Sequence, residues 1–442
     1  EQALAIDSTF AWGWAYLAMF RQNTMGDHLA PMERLWDLTD RLTPSQQGLA
    51  EMSRLELGKR DFVESVRFAR QQIEAPTSDM RLDPDFPQFY HIELNLAHLD
   101  SGDPRTALDG QLEWRRLVAE EGAYDPDPYA TSINLAMTYA RLGDTASARL
   151  ERENFAEQTG HTTLPVEAFV PAAGADWGQA AEIMGRSMEL ATEPWWKNLD
   201  APMLGTIEAV RGRPQSSRAA FARALESLTS EAAVTLHVQR ADAEFFALAD
   251  PQRASAALEV ILTGAPPDSG FARRGHARAQ AVAAAICAHM GEPPVEGPAA
   301  RLDCGAPIAT DSLNDEIETL EALGWRAVAE GRLEDAVRIG REPILSRAGG
   351  PGLRARAPAA YAYEALGMPD SARAIYEPMT RAPFGWISNA PSAIAVRSYA
   401  LRRLARMGGV AGDSAFAILR RDWAEAEPAF LDRMSGEIAS GD

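Results

Sequence analysis

His91, Asn95 and His98 are spaced by four and then three residues, so on a helix they share one face. Two imidazoles and an amide begin a metal or polar-ligand site, but a metal needs a further ligand from elsewhere, and Glu93 points off that face. A packing stripe explains the same spacing, so neither a metal nor a cofactor is expected. Cys287 and Cys304 are the only cysteines, with 16 loop-like residues between them. They either close a disulfide or stand as two separate thiols, and two are too few to frame a fold. Carboxylate pairs such as Glu120-Glu121, or Glu425 with Glu427, are expected among 63 acidic residues, and none is assigned general acid–base work. Trp195-Trp196 cannot both face one core from adjacent positions. Either both pack between neighbouring repeats or one is left to anchor a peptide.

The motifs of common catalysts are absent. The chain has no GxxxxGKS or GxxxxGKT phosphate loop, no GxGxxG, no GxSxG, no HExxH, no CxxC and no HRD or DFG. No enzyme activity is expected. The net charge of −20 repels nucleic acid phosphates and anionic lipid, and it suits a basic partner or plain solubility. No segment approaches the ~18 apolar residues of a membrane span; the most apolar run, 281–290, is short and follows Arg273, Arg274 and Arg278. Neither nucleic acid binding nor membrane insertion of this chain is expected.

What must position any functional residue is a repeat. A small residue, a Gly seven later and a small residue five beyond that recur five times. The sets are Asn95, Gly102, Ala107; Ala136, Gly143, Ala148; Gly205, Gly212, Ser217; Gly324, Gly331, Ala336; and Ala360, Gly367, Ala372. Small residues let two antiparallel helices cross closely, and the Gly between them ends the first helix in a left-handed conformation. Asp and Pro in Gly102-Asp103-Pro104 and Asp in Gly143-Asp144 then start the second helix. The units are 36 residues apart from Gly331 to Gly367 and 41 from Gly102 to Gly143; degenerate units around Ala180 and Ala254 fill the longer gaps.

The pattern resembles the tetratricopeptide repeat, W-x2-L-G-x2-Y followed by A-x3-F and a closing Pro. Trp14-x2-Leu17-Ala18, the Leu-Gly pairs at Leu204-Gly205 and Leu323-Gly324, Tyr139, Tyr363, Ser217-x3-Phe221, Ala372-x3-Tyr376 and Pro383 carry the resemblance, though no unit holds every element. It implies an all-α fold, a right-handed α-α superhelix of antiparallel helix pairs in which each unit touches only its neighbours. The expected division is an array over 1–290, a Pro/Gly-rich excursion over 291–312, further repeats with a capping helix over 313–434 and a polar tail over 435–442.

The resemblance further implies a scaffold that binds a protein or peptide on its concave face, lined by first helices. The candidate lining residues are Ile92, Leu96, Leu99, Ile133, Met137 and Arg141, with Trp195 and Trp196 as anchors. The Lys/Arg/Asn cluster with which some members clamp acidic C-termini is missing, so the groove reads as apolar and suited to an apolar or helical peptide. The Ala/Arg-rich units also resemble arrays attached to bacterial serine/threonine kinases or transcription regulators, which would make this chain their sensing or docking half. Its opening residues read as the end of a second helix, with the array expected to continue upstream. Such a chain is expected in the cytoplasm, or outside it if an upstream segment tethers it. An α/α-toroid enzyme is the rival reading, disfavoured by the short repeat and the missing motifs.

Overall fold

The computed structural model describes residues 2–23, 29–75, 98, 103–121, 128–159, 168–190, 194–226, 230–263, 270–290, 302, 316–381 and 390–439. Among the described residues the regular elements are helices, with no strand. The chain forms two compact units, residues 1–190 and 191–442, so the boundary falls inside the stretch 1–290.

The first unit contains α1 (Gln2–Ile6), α2 (Ala11–Asn23), α3 (Leu29–Asp37), α4 (Pro44–Ser53), α5 (Phe62–Glu74), α6 (Pro104–Glu121), α7 (Pro128–Arg141), α8 (Thr145–Thr159), α9 (Phe169–Ala173) and α10 (Trp177–Leu190). Its helices pack on their neighbours along the chain: α2 on α3, α7 on α6 and α8, and α9 on α7 and α10.

The repeat glycines do what their spacing predicts. Gly143, Gly212, Gly331 and Gly367 have φ between +70° and +82°. The following amide turns back to the carbonyl five residues earlier, Asp144 to Tyr139, Arg213 to Glu208, Arg332 to Ala327 and Met368 to Tyr363, at 2.8–2.9 Å. The small residues on either side, Ala136 and Ala148, Gly205 and Ser217, Gly324 and Ala336, Ala360 and Ala372, are all buried. At Gly205 the reason is direct: a Cβ there would come within 2.6 Å of the Phe221 ring, which lies on the bare backbone. In the first set Ala107 is fully buried, while Asn95 and Gly102 lie outside the described residues.

Three further turns use the same conformation without glycine. Arg60, Ala175 and Ala249 have φ of +52°, +58° and +51°. Each precedes an Asp (Asp61, Asp176, Asp250) whose carboxylate accepts the amide three residues on. Five residues past each lies a buried small residue, Ser65, Ala180 and Ala254. Ahead of Arg60 and Ala249 the helix ends in a π-turn, Arg54–Gly58 and Ala243–Ala247, which inserts one extra residue.

A left-handed conformation costs a side-chain-bearing residue about 1–2 kcal/mol. Gly331→Ala should therefore destabilise the protein by about 1–2 kcal/mol through the backbone alone, since a Cβ there meets nothing within 4 Å. Ala249→Gly should move the other way, by about 0.5–1 kcal/mol once the greater freedom of unfolded glycine is set against the relieved strain. Urea unfolding of both variants reads the opposite signs; equal signs would remove the strain argument.

The second unit contains α11 (Pro194–Val210), α12 (Pro214–Leu225), α13 (Ser230–Asp242, running into the second π-turn), α14 (Pro251–Leu262), α15 (Gly270–Met290), α16 (Glu316–Ala329), α17 (Leu333–Ile339), α18 (Pro343–Arg347), α19 (Gly349–Ala355), α20 (Ala357–Ala365), α21 (Pro369–Thr380), α22 (Ala390–Met407), α23 (Gly409–Asp422) and α24 (Pro428–Ala439). The short α18 and α19 are an insertion in the pairing of α17 with α20. Neighbour packing alone does not describe this unit. α11 packs on α13, α13 on α15, α15 on α16, α16 on α19 and α20, and α19 on α22, while α22 returns to α11 and the π-turn after α13. Its inner helices thus close on themselves, where the repeat pattern leads one to expect contacts between neighbours only.

Candidate functional site

The expected lining residues of the first unit are only partly placed. Ile92, Leu96 and Leu99 lie outside the described residues, as do His91 and Asn95; Ile133, Trp195 and Trp196 are described in backbone only. Trp195 and Trp196 fall in the first turn of α11. Met137 is half-buried and packs on Ala136, Ala140, Ala148 and Val170, and Arg141 ends α7, also half-buried. His98 is buried, and its Nε2 accepts from the Arg70 guanidinium at 3.2 Å. Burial, and then Arg70, hold its pKa below the ordinary histidine value, so this imidazole is a neutral packing group. On the second helices the Arg115 guanidinium grips Glu151 with both nitrogens, tying α6 to α8.

The offsets that select Ile133 and Met137, three before and one after the small residue, select Glu321 and Trp325 around Gly324 on α16. They also select Pro202 and Thr206 around Gly205 on α11. All four of these second-unit residues are buried. On α13 the π-turn shifts the register by one, so Ala241 takes the small position and Asp242 the inward one. The inward positions of the second unit are therefore filled by the chain itself.

A chain of charges runs through that interior. The Ser392 hydroxyl donates to Asp242 Oδ2 at 2.6 Å. Arg278 donates to Asp242 Oδ1 at 2.5 Å and, from its other terminal nitrogen, to Glu321. Arg354 donates to Glu321 at 2.8 Å and to Glu318 at 3.3 Å. Asp242 and Glu321 have no exposed surface. Charges so far from water persist only when paired, and here each carboxylate is met by a guanidinium. These six residues, drawn from α13, α15, α16, α19 and α22, are ones the sequence motifs do not single out.

Beside them lies an aromatic group. Tyr399 of α22 stands edge-on to Phe246, His289, Trp325 and Tyr376, which belong to four other elements, with ring centroids 5.5–6.4 Å away. His289 Nδ1 is 2.8 Å from the Ala285 carbonyl, which only accepts, so Nδ1 carries the proton. Nε2 then accepts from the Tyr399 hydroxyl at 3.0 Å. Burial, followed by the nearby Arg403, lowers the His289 pKa to about 3, and burial raises that of Tyr399. Both groups are neutral over the physiological range. Arg403 pairs with Glu364 and lies over the Tyr361 ring, 4.8 Å from its centroid.

No protein-family model matches the chain, and no curated protein matches it.

The buried acids Asp242 and Glu321 each accept from guanidinium groups, which suits cohesion more than proton transfer. Among the described residues no three of His, Cys, Asp or Glu are grouped to hold a metal, and no helix is long and apolar enough to cross a membrane. Cys287, near the end of α15, is buried and disulfide-bonded. Cys304, the only other cysteine, lies outside the described residues. Thiol titration in denaturant should find no free thiol before reduction and two after it. Reduction should lower stability by about 3 kcal/mol, the loss expected for a loop of this length. One or two thiols before reduction would exclude the intrachain bond.

Proposed function

We propose that the chain is a non-enzymatic helical-repeat scaffold that holds a protein or peptide on the inner face of residues 1–190. One contrast carries this reading. The inward position past the small residue is half-buried at Met137 in the first unit, whereas its counterpart Trp325 in the second unit is fully buried. The recurring turn, with its left-handed residue and flanking small residues, supports kinship with tetratricopeptide-type superhelices. Charge supports a basic character in the partner: residues 1–190 carry 31 acidic against 16 basic side chains, and residues 191–442 carry 32 against 27. An apolar or helical segment with basic flanks fits an apolar groove in an acidic body. Such a scaffold would also serve as the docking half of a bacterial kinase or transcription regulator. The bonded Cys287 favours an oxidising compartment.

Peptide display against the full chain tests this. Apolar peptides with basic flanks should be enriched, and Met137→Asp, which places a carboxylate in the apolar groove, should weaken them at least tenfold, while Val260→Asp, exposed on α14, should not. Preference for acidic C-terminal tails, or equal binding by all variants, would sink the reading.

Closure of the second unit around Asp242 and Glu321 favours a second reading, an α/α-toroid enzyme. Against it stands the pairing of both carboxylates with arginines. Hydrolase turnover that disappears in Asp242→Asn, in protein shown to be folded, would revive it.

A further inference from the structure

We propose that α22 is a built-in occupant of the inner face of residues 191–442, and that it locks this unit shut as one cooperative body. The sequence pattern makes α22 one more first helix of an array, which would touch α21 and α23. It does touch both, and Arg397 donates to Asp422 on α23 at 2.8 Å, but further bonds reach back across the unit. The Ser392 hydroxyl holds Asp242 on α13. Arg402, almost wholly buried, donates to the carbonyl of Phe246 in the π-turn at 3.0 Å, 156 residues away. Arg403 pairs with Glu364 on α20. Tyr399 meets rings from the π-turn, α15, α16 and α21 at once.

Ile394, Ala395, Val396, Ala400, Leu401 and Leu404 of α22 are buried as well, so the helix is covered on most of its circumference. The segment behind it continues the closure. The Glu427 amide donates to the carbonyl of Gly212, the Glu427 carboxylate accepts the amide of Gln215, and Arg433 donates to the Leu248 carbonyl at 2.6 Å. A Cβ on Gly212 would meet the Phe430 ring at 2.5 Å, so the first turn of the unit is also the seat of α24.

Arg402 and Ser398 of α22 are 2% and 1% exposed, so polar side chains of this helix are enclosed along with its apolar ones. An array whose groove is filled by its own last first-helix cannot extend and unfold unit by unit, and it offers no partner a concave surface.

Hydrogen exchange by mass spectrometry on the full chain separates this from an ordinary array. Arg402→Met removes the bond to Phe246 while keeping a long apolar stem. Exchange should rise at least tenfold in 230–247 together with α22, and by a similar factor in 194–210. Arg402→Lys should restore part of the protection. A rise confined to 369–439, or no change anywhere, would overturn the proposal. Should Arg402→Met fail to fold, Ser392→Ala carries the same comparison, since it leaves every charge of the interior chain in place.

Discussion

Glu321→Ala is expected to lower the free energy of unfolding by about 3–5 kcal/mol, a large fraction of the stability of any single cooperative unit. Glu321 is the centre of the interior charge chain, accepting from Arg278 and from Arg354 Nε. Truncation leaves Arg278 with Asp242 alone and Arg354 with the more distant Glu318. Two guanidinium groups with almost no access to water would each lose a charged acceptor, and nothing solvates what is lost. The expected loss exceeds that of a surface pair such as Arg116 with Glu113, where water replaces the partner. Urea unfolding of the full chain measures it. The double variant Glu321→Gln with Arg354→Met should be less damaging than the sum of its parts by at least about 1 kcal/mol, because the second change removes the stranded charge. A loss below about 1 kcal/mol for Glu321→Ala, or simple additivity, would mean that the chain is hydrated in solution.

Helix pairing was legible in the sequence because its determinants are local. A Gly between two small residues at fixed offsets demands a tight turn, and Gly143, Gly212, Gly331 and Gly367 adopt it. The degenerate units around Ala180 and Ala254 were visible only through their small residues. The turn itself is made by Ala175 and Ala249, whose strain is tolerated because an Asp cap follows. The π-turn before Ala249 hid the inward role of Asp242, since one inserted residue shifts the offset that would have marked it. Closure was illegible for a different reason. Ser392 and Asp242 are 150 residues apart, and nothing in the type or spacing of either announces a partner at that distance. Arg278 read as a charged flank of an apolar helix. In the fold that apolar helix, α15, carries the arginine into the interior, where Asp242 and Glu321 receive it. Of the candidate groove, Met137 and Arg141 are placed and half-buried on α7, while Ile92, Leu96 and Leu99 lie outside the described residues.

Lowering the pH from 7 to 4.5 should cost about 2–3 kcal/mol of stability through His289 alone. Its folded pKa of about 3 lies below the ordinary value of about 6.5 that it regains on unfolding. Between those values the unfolded chain binds a proton that the folded chain refuses. Stability therefore falls as pH falls through this window, by about 1.4 kcal/mol per pH unit, and the effect vanishes above about pH 6.5. Several features of the interior disfavour the imidazolium. Burial comes first, and Arg403, Arg402 and Arg406 on α22 follow. The hydrogen bonds allow the neutral ring only, since Nε2 accepts from Tyr399. Other histidines contribute in the same direction, because His98, His237 and His276 are also lowered by burial. The decisive comparison is therefore with His289→Gln, which cannot titrate. That variant should be less stable than the parent at pH 7, where it loses a fitted ring, and should close the gap as pH approaches 4.5. In the parent, the NMR signal of the His289 ring should hold its position from pH 7.5 to pH 5. A midpoint near 6.5 would show the imidazole reaching solvent, and with it an opening at the place where α22 meets α15.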